Sequence, residues 1–130
     1  MLVSNIMKPT VITISPMASV REALKLMKEA GVKSLVTQKL HANDAYGLIS
    51  FNDIAKAIIA EGGDIDLLNV YDIAQKPVLQ VSGSLATKYL ARLMISYQVK
   101  HVLVIEDNEL LGFVSMTDVV NDLIDTTVTA

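Results

Sequence analysis

The chain has 130 residues, 52% of them hydrophobic and 19% charged, which fits one compact domain or two small units sharing a core and leaves no room for a separate catalytic domain. Its 11 basic and 14 acidic side chains argue against nucleic acid as the main partner, because duplex binding draws on clustered cations, and the absence of cysteine excludes disulfides, thiolate-held zinc and cysteine nucleophiles. No apolar run approaches the ~18–20 residues of a membrane span and no signal-peptide pattern opens the chain, so the expectation is a cytoplasmic protein with no membrane partner.

In chain order, an alternating strand is predicted from Val11 to Ser15. Ser19 with Glu22 forms a capping box that starts a helix, whose apolar positions Val20, Ala23, Leu24, Met27 and Ala30 keep helical spacing until Gly31. Two strands follow, Lys33 to Gln38 and Tyr46 to Ile49, joined by a polar loop, and a second helix runs from Asn52 to Ala60. Glu61-Gly62-Gly63 breaks that helix, and Asp66 to Val70 reads as a short connecting turn. The order then recurs: strand Leu79 to Ser82, a helix with Ala86, Leu90, Leu93, Met94 and Tyr97 on its apolar stripe, strands Lys100 to Ile105 and Leu111 to Val114 around an Asp107-Asn108 turn, and helix Thr117 to Ile124.

The recurrence is an internal repeat. Ile6 and Ile73, Ile14 and Val81, and Val32-Lys33 and Val99-Lys100 are all 67 positions apart. After a slip in the polar stretch Lys39 to Ala45 the offset is 65, which sets Gly47 on Gly112, Ser50 on Ser115 and Asp53 on Asp118. The predicted fold class is therefore α+β of an α/β-type repeat: two tandem β-α-β-β-α units packed with pseudo-twofold symmetry. The expected boundaries are 1–61, a linker at 62–72, 73–125, and a C-terminal tail at 126–130. A unit of roughly 60 residues buries too little surface to stand comfortably alone. Ile54 to Ala60 is apolar nearly all round, and Ala91 and Ile95 lie off the core-facing stripe. Either the core is thick there, or these faces meet a second subunit, most simply in a homodimer.

The repeat resembles the CBS domain, and the doubled copy resembles a CBS pair, or Bateman module, over nearly the whole chain from about Ile6 to Ile124. The strings that carry the resemblance are Gly47-Leu48-Ile49-Ser50-Phe51-Asn52-Asp53 and Gly112-Phe113-Val114-Ser115-Met116-Thr117-Asp118, at matching places in the repeat. The resemblance implies a stand-alone, non-catalytic regulatory module. Such a module binds an adenosine-containing ligand (AMP, ADP, ATP or S-adenosylmethionine) and signals its state through a dimer to an effector protein. A ligand-free interaction or dimerisation module is the alternative.

The residues themselves suit that chemistry. Ser50 and Ser115 fall where a strand ends and a helix begins, beside exposed backbone N–H groups and with a hydroxyl added. Asp53 and Asp118, three residues on, can accept hydrogen bonds from both hydroxyls of a ribose. The same Ser-x-x-Asp spacing also serves simply to cap a helix. By resemblance, Lys33 in copy one and Lys100 with His101 in copy two fall where the family places basic residues against phosphate, Ser34 standing where a second basic group is expected. A phosphate contact by His101 would make binding pH-dependent near its unperturbed pKa of ~6.5. Ile12 and Leu79, with Val32 and Val99, match the family's adenine-lining positions, though each also suits a core. The resemblance favours the Asp118 cleft, with Ile12, Lys100, His101 and Ser115, over the Asp53 cleft. Lys8, just ahead of Pro9, can reach a phosphate but is not counted among the site residues. No metal site is expected, and Glu61, Asp64 and Asp66 read as a solvated linker.

Overall fold

The structure, a computed structural model, describes residues 1–127; the last three residues of the expected 126–130 tail lie outside them. The elements in chain order are α1 (Val3–Ile6), β1 (Thr13–Ile14), α2 (Val20–Ala30), β2 (Ser34–Thr37), β3 (Gly47–Ser50), α3 (Phe51–Ala55), a π-helical turn (Lys56–Ala60), α4 (Val70–Ile73), β4 (Gln80–Val81), α5 (Thr87–Ser96), β5 (His101–Glu106), β6 (Glu109–Ser115) and α6 (Met116–Thr127). Each predicted β-α-β-β-α order is present, with a one-turn helix added ahead of it.

Two compact units result: Ile12–Val78, and Met1–Val11 together with the chain from Leu79 onward. In the first, β2 is the central strand, parallel to β1 and antiparallel to β3 with Ser34 opposite Ser50. The parallel step from β1 to β2 requires a crossover, and α2 supplies it. The helix starts where the Ser19 side chain accepts a hydrogen bond from the Glu22 N–H at 3.1 Å, and stops where Gly31 turns left-handed at φ 67°. Its buried Val20, Ala23 and Met27 pack with Ile14, Leu35, Ile49, Ile54 and Val70 into one core.

The second unit repeats the plan. β5 is central, parallel to β4 and antiparallel to β6, with His101 opposite Ser115. Asp107 and Asn108, at φ 49° and 65°, make the tight turn, a conformation that their short polar side chains tolerate. Leu90, Met94, Val102, Val104, Val114 and Val119 form the core, and Val3 from the N-terminal segment is buried among them.

The sequence repeats and the compact units therefore divide the chain differently. Each one-turn helix packs on the copy that does not follow it. The Val3 N–H donates to Leu85 O at 2.8 Å and Ser4 N–H to Gly83 O at 2.9 Å; in the other copy Val70 N–H donates to Ala18 O at 2.8 Å and Tyr71 N–H to Pro16 O at 3.0 Å. These are the same bonds under the repeat offset. The segments ahead of the two repeats are exchanged.

The apolar segment Ile54 to Ala60 is not buried on several sides within the chain. Ile54 is in the core and Ile58 packs against it, but Ile59, within the π turn, is 82% exposed. In the second unit Ala91 packs against the core while Ile95 is 68% exposed and Tyr97 is also exposed. The linker after Gly63 is docked rather than merely solvated: Asp66 receives Arg21 Nε at 2.6 Å and a second guanidinium nitrogen at 3.0 Å. Among the described residues, no helix is long and apolar enough to cross a membrane.

Candidate functional site

Both Ser-x-x-Asp strings sit at the junction from a hairpin's last strand into a helix, and both form reciprocal caps. In the second unit Asp118 Oδ2 accepts from the Ser115 backbone N–H at 2.9 Å and from its hydroxyl at 3.0 Å, while the Asp118 N–H donates back to Ser115 Oγ at 3.2 Å. In the first, Asp53 Oδ2 accepts from Ser50 N–H at 3.3 Å and Ser50 Oγ at 2.8 Å, and Asp53 N–H returns to Ser50 Oγ at 3.2 Å. One carboxylate oxygen of each aspartate is thus committed to the helix start. The other, Oδ1, is left for something else.

The exchanged segments supply that partner. Lys8 forms a two-way backbone bridge with Phe113, N–H to O at 2.9 Å and O to N–H at 3.1 Å, and lays its ammonium 5.6 Å above the Phe113 ring. From there Nζ reaches Asp118 Oδ1 at 3.6 Å, with the aspartate side chain only 14% exposed and the lysine 57%. The image of Lys8 under the 67-residue offset is Gln75. It bridges Leu48 in the same two-way manner, at 2.8 and 2.9 Å, and its Nε2 donates to Asp53 Oδ1 at 3.3 Å. Copy two therefore places a cation on the second oxygen, and copy one a neutral amide. The neighbouring Lys76 is turned to Asp44, which also accepts from the Leu40 and Ala45 N–H groups at 2.9 Å each. The Lys76 hydrogen bond, then those two N–H groups, hold the Asp44 carboxyl well below the usual carboxylate range.

The glycine that opens each motif makes room for this arrangement. A Cβ on Gly112 would lie 2.6 Å from Lys8 O, and one on Gly47 would lie 2.6 Å from Thr37 Oγ1 and 2.9 Å from Gln75 O. Buried Thr37, which departs from an aliphatic strand pattern, is satisfied by the Gly47 N–H at 2.9 Å.

The remaining predicted residues surround these two points. His101 stands across from Ser115 in the β5–β6 register, and cross-strand partners share a sheet face. Lys100 and Lys33 are exposed at the strand starts, where their carbonyls accept from Met116 N–H at 2.8 Å and Phe51 N–H at 2.9 Å. Leu79 belongs to the unit of Asp118 and Ile12 to that of Asp53. Each precedes the first strand, receives a hydrogen bond from the central strand and packs partly buried against its own core. Val32 and Val99 pack likewise. Within its own unit Asp118 thus has Ser115, His101, Lys100, Leu79 and Lys8, and Asp53 has Ser50, Lys33, Ile12 and Gln75. Gln75 was not visible as a site residue; only its offset from Lys8 marks it.

This geometry belongs to a known family. The CBS domain family model matches residues 3–60 and 70–125, and the chain accordingly belongs to the CBS domain family and carries two copies in tandem. An uncharacterised protein of Methanopyrus kandleri is 26% identical over 118 residues, 90% of this chain and 60% of that protein. An inosine-5'-monophosphate dehydrogenase of Korarchaeum cryptofilum is 34% identical over 113 residues, and this chain spans 84% of itself but 21% of that enzyme. Among solved structures, a hexameric CBS-CP12 protein from bloom-forming cyanobacteria superposes with TM-score 0.90 at 32% identity, over 97% of this chain and 70% of that one. The CBS domain pair of protein MJ0100, solved with 5'-methylthioadenosine and S-adenosyl-L-methionine, superposes with TM-score 0.80 at 23% identity over 98% of both chains.

Proposed function

We propose that the chain is a non-catalytic regulatory module that binds an adenosine-containing ligand at one or both Ser-x-x-Asp motifs and passes its ligand state to a partner protein. The observation that carries this reading is the division of labour within each aspartate. Oδ2 holds the helix start, so Oδ1 can meet a ribose diol without unwinding the helix. Ser50 and Asp53 act in one copy, Ser115 and Asp118 in the other, with Lys33, Lys100 and His101 as phosphate partners and Ile12 and Leu79 as apolar lining. Adenosine ligands in MJ0100, a protein of the same fold, support the ligand class. The ligand is AMP, ADP, ATP or S-adenosylmethionine, and a difference in its affinity for two subunit arrangements would be the signal.

Thermal unfolding with each ligand, on wild type and on Asp53→Ala and Asp118→Ala, tests it. A ligand at 100 times its dissociation constant adds about 2.7 kcal/mol, which is several degrees for a chain of this size. A shift lost in one variant identifies its site. No shift with any ligand, in cooperatively melting protein, overturns the reading.

A second reading has its own support. Both aspartates are satisfied as caps, while Ile59, Ile95, Leu123 and Ile124 are exposed. On that reading the chain is a ligand-free homodimer that docks an effector protein, and Asp118→Ala costs only a helix cap.

A further inference from the structure

We propose that Lys8 is the charge-selecting residue of the Asp118 site: it makes that site choose phosphorylated adenosine ligands over uncharged or cationic ones, whereas Gln75 leaves the Asp53 site without this preference. The inference rests on the adenosine-ligand reading above and concerns which ligands each site accepts.

The argument starts from the oxygen a ribose must use. Asp118 Oδ2 is already taken by two donors from Ser115, and Lys8 Nζ sits 3.6 Å from Oδ1. A diol arriving at Oδ1 displaces the ammonium or crowds it. Asp118 is largely shielded from water, so breaking its ion pair carries a charge-separation cost that an exposed pair would not. The displaced ammonium also needs a new anion. A ligand with phosphate brings one; adenosine brings none, and the sulfonium of S-adenosylmethionine adds a like charge.

Lys8 is built to make that transfer. Its backbone is pinned to Phe113 by two hydrogen bonds and its ammonium lies over the ring, while more than half of the side chain is exposed, so the head can swing without moving the chain. Lys100, at the start of β5, adds positive charge in the same unit. Copy one lacks the device at the equivalent place. Gln75 gives up one neutral hydrogen bond when a diol arrives, and Lys76 is engaged by Asp44. Two sites that look alike as Ser-x-x-Asp strings thus differ in whether their ligand must carry negative charge.

Titration calorimetry at constant ionic strength with ADP, adenosine and S-adenosylmethionine tests the inference on an Asp53→Ala background, where only the Asp118 site reports. Lys8→Gln, which copies the residue at position 75, should weaken ADP, strengthen adenosine, and shrink the ADP-to-adenosine affinity ratio by about tenfold, the scale of one charge-assisted hydrogen bond. Lys8→Arg should restore the ratio. On an Asp118→Ala background, Gln75→Lys should create the same preference at Asp53. An unchanged ratio in Lys8→Gln with binding intact overturns this inference alone, as does a wild-type Asp118 site that prefers S-adenosylmethionine. Absence of binding by all three ligands to wild type overturns the inference together with the adenosine reading.

Discussion

Replacing Gly112 by alanine isolates what the motif glycine does. The new Cβ would stand 2.6 Å from Lys8 O and 3.1 Å from Met7 Sδ, and the oxygen is backbone, so the clash cannot be relieved by rotating a side chain. The N-terminal segment has to lift from β6. That strains or breaks the two Lys8–Phe113 hydrogen bonds, each worth a net ~1 kcal/mol, and adds an overpacking cost of the order of 1 kcal/mol. We expect a loss of about 3 kcal/mol in total. Unfolding entropy of ~2.1 cal/mol/K per residue over 130 residues converts this to a fall in Tm of about 10 °C. Gly31→Ala is the control. Nothing lies within 4 Å of its Cβ, and only the left-handed φ of 67° opposes it, at a cost of roughly 1 kcal/mol. Circular dichroism melts of the two variants, with hydrogen exchange at the Lys8 and Phe113 amides, give the comparison. A Gly112→Ala protein that melts no lower than Gly31→Ala, with both amides still protected, would refute the claim that this glycine exists to admit the exchanged segment.

Val3→Ala and Val70→Ala each remove buried methyls from the core of the copy that does not follow them, and each should lower stability by about 2 kcal/mol in urea titrations. If Val3 were outside the second core, its variant would be nearly neutral. Asp44 supplies a pH dependence of known sign. Its folded-state pKa is depressed, so its contribution is present above the unfolded value of ~3.9 and is lost as pH falls through that value toward the folded one. Asp44→Asn should therefore flatten part of the Tm decline measured between pH 5 and pH 3, leaving the parts due to Asp66 and Glu106, whose carboxyls are also lowered, by Arg21 and by Ser82 with the Gly83 N–H. Ile95→Asp should weaken self-association measured by sedimentation equilibrium if that face joins two chains; unchanged association excludes it.

The parts of the fold that were legible in the sequence are those whose cause is local. Ser19 with Glu22 and Gly31 bound α2 because a cap and a left-handed stop need only neighbouring residues, and Asp107-Asn108 announce their turn for the same reason. Ser50, Asp53, Ser115 and Asp118 were found because the repeat displays the string twice. What stayed hidden is long-range. A 67-residue periodicity looks the same whether Val3–Ile6 packs on the copy it precedes or on the other, so the exchange had no signature in it. Lys8 and Gln75 could not be matched with Asp118 and Asp53 until that exchange was known. The exposure of Ile59 has a local cause: it stands five residues after core Ile54, about 140° round a helix, and so faces away from the side that Ile54 and Ile58 share.

On the adenosine-ligand reading, the exchange also bears on how a ligand at Asp118 would be felt along the chain. Lys8 lies in the segment assigned to the second unit, and the first unit begins at Ile12, so only Pro9, Thr10 and Val11 separate the residue touching Asp118 from the residue leading into β1. Proline fixes one of the few free dihedrals in that span. A displacement of Lys8 is therefore absorbed either by its flexible side chain or by the approach to β1, and the two backbone bonds to Phe113 decide between them. While they hold, the charge of a ligand proposed at Asp118 would be met by the Lys8 side chain alone. On the adenosine-ligand reading, a ligand large enough to break them would pull on the chain that leads through Pro9, Thr10 and Val11 to Ile12.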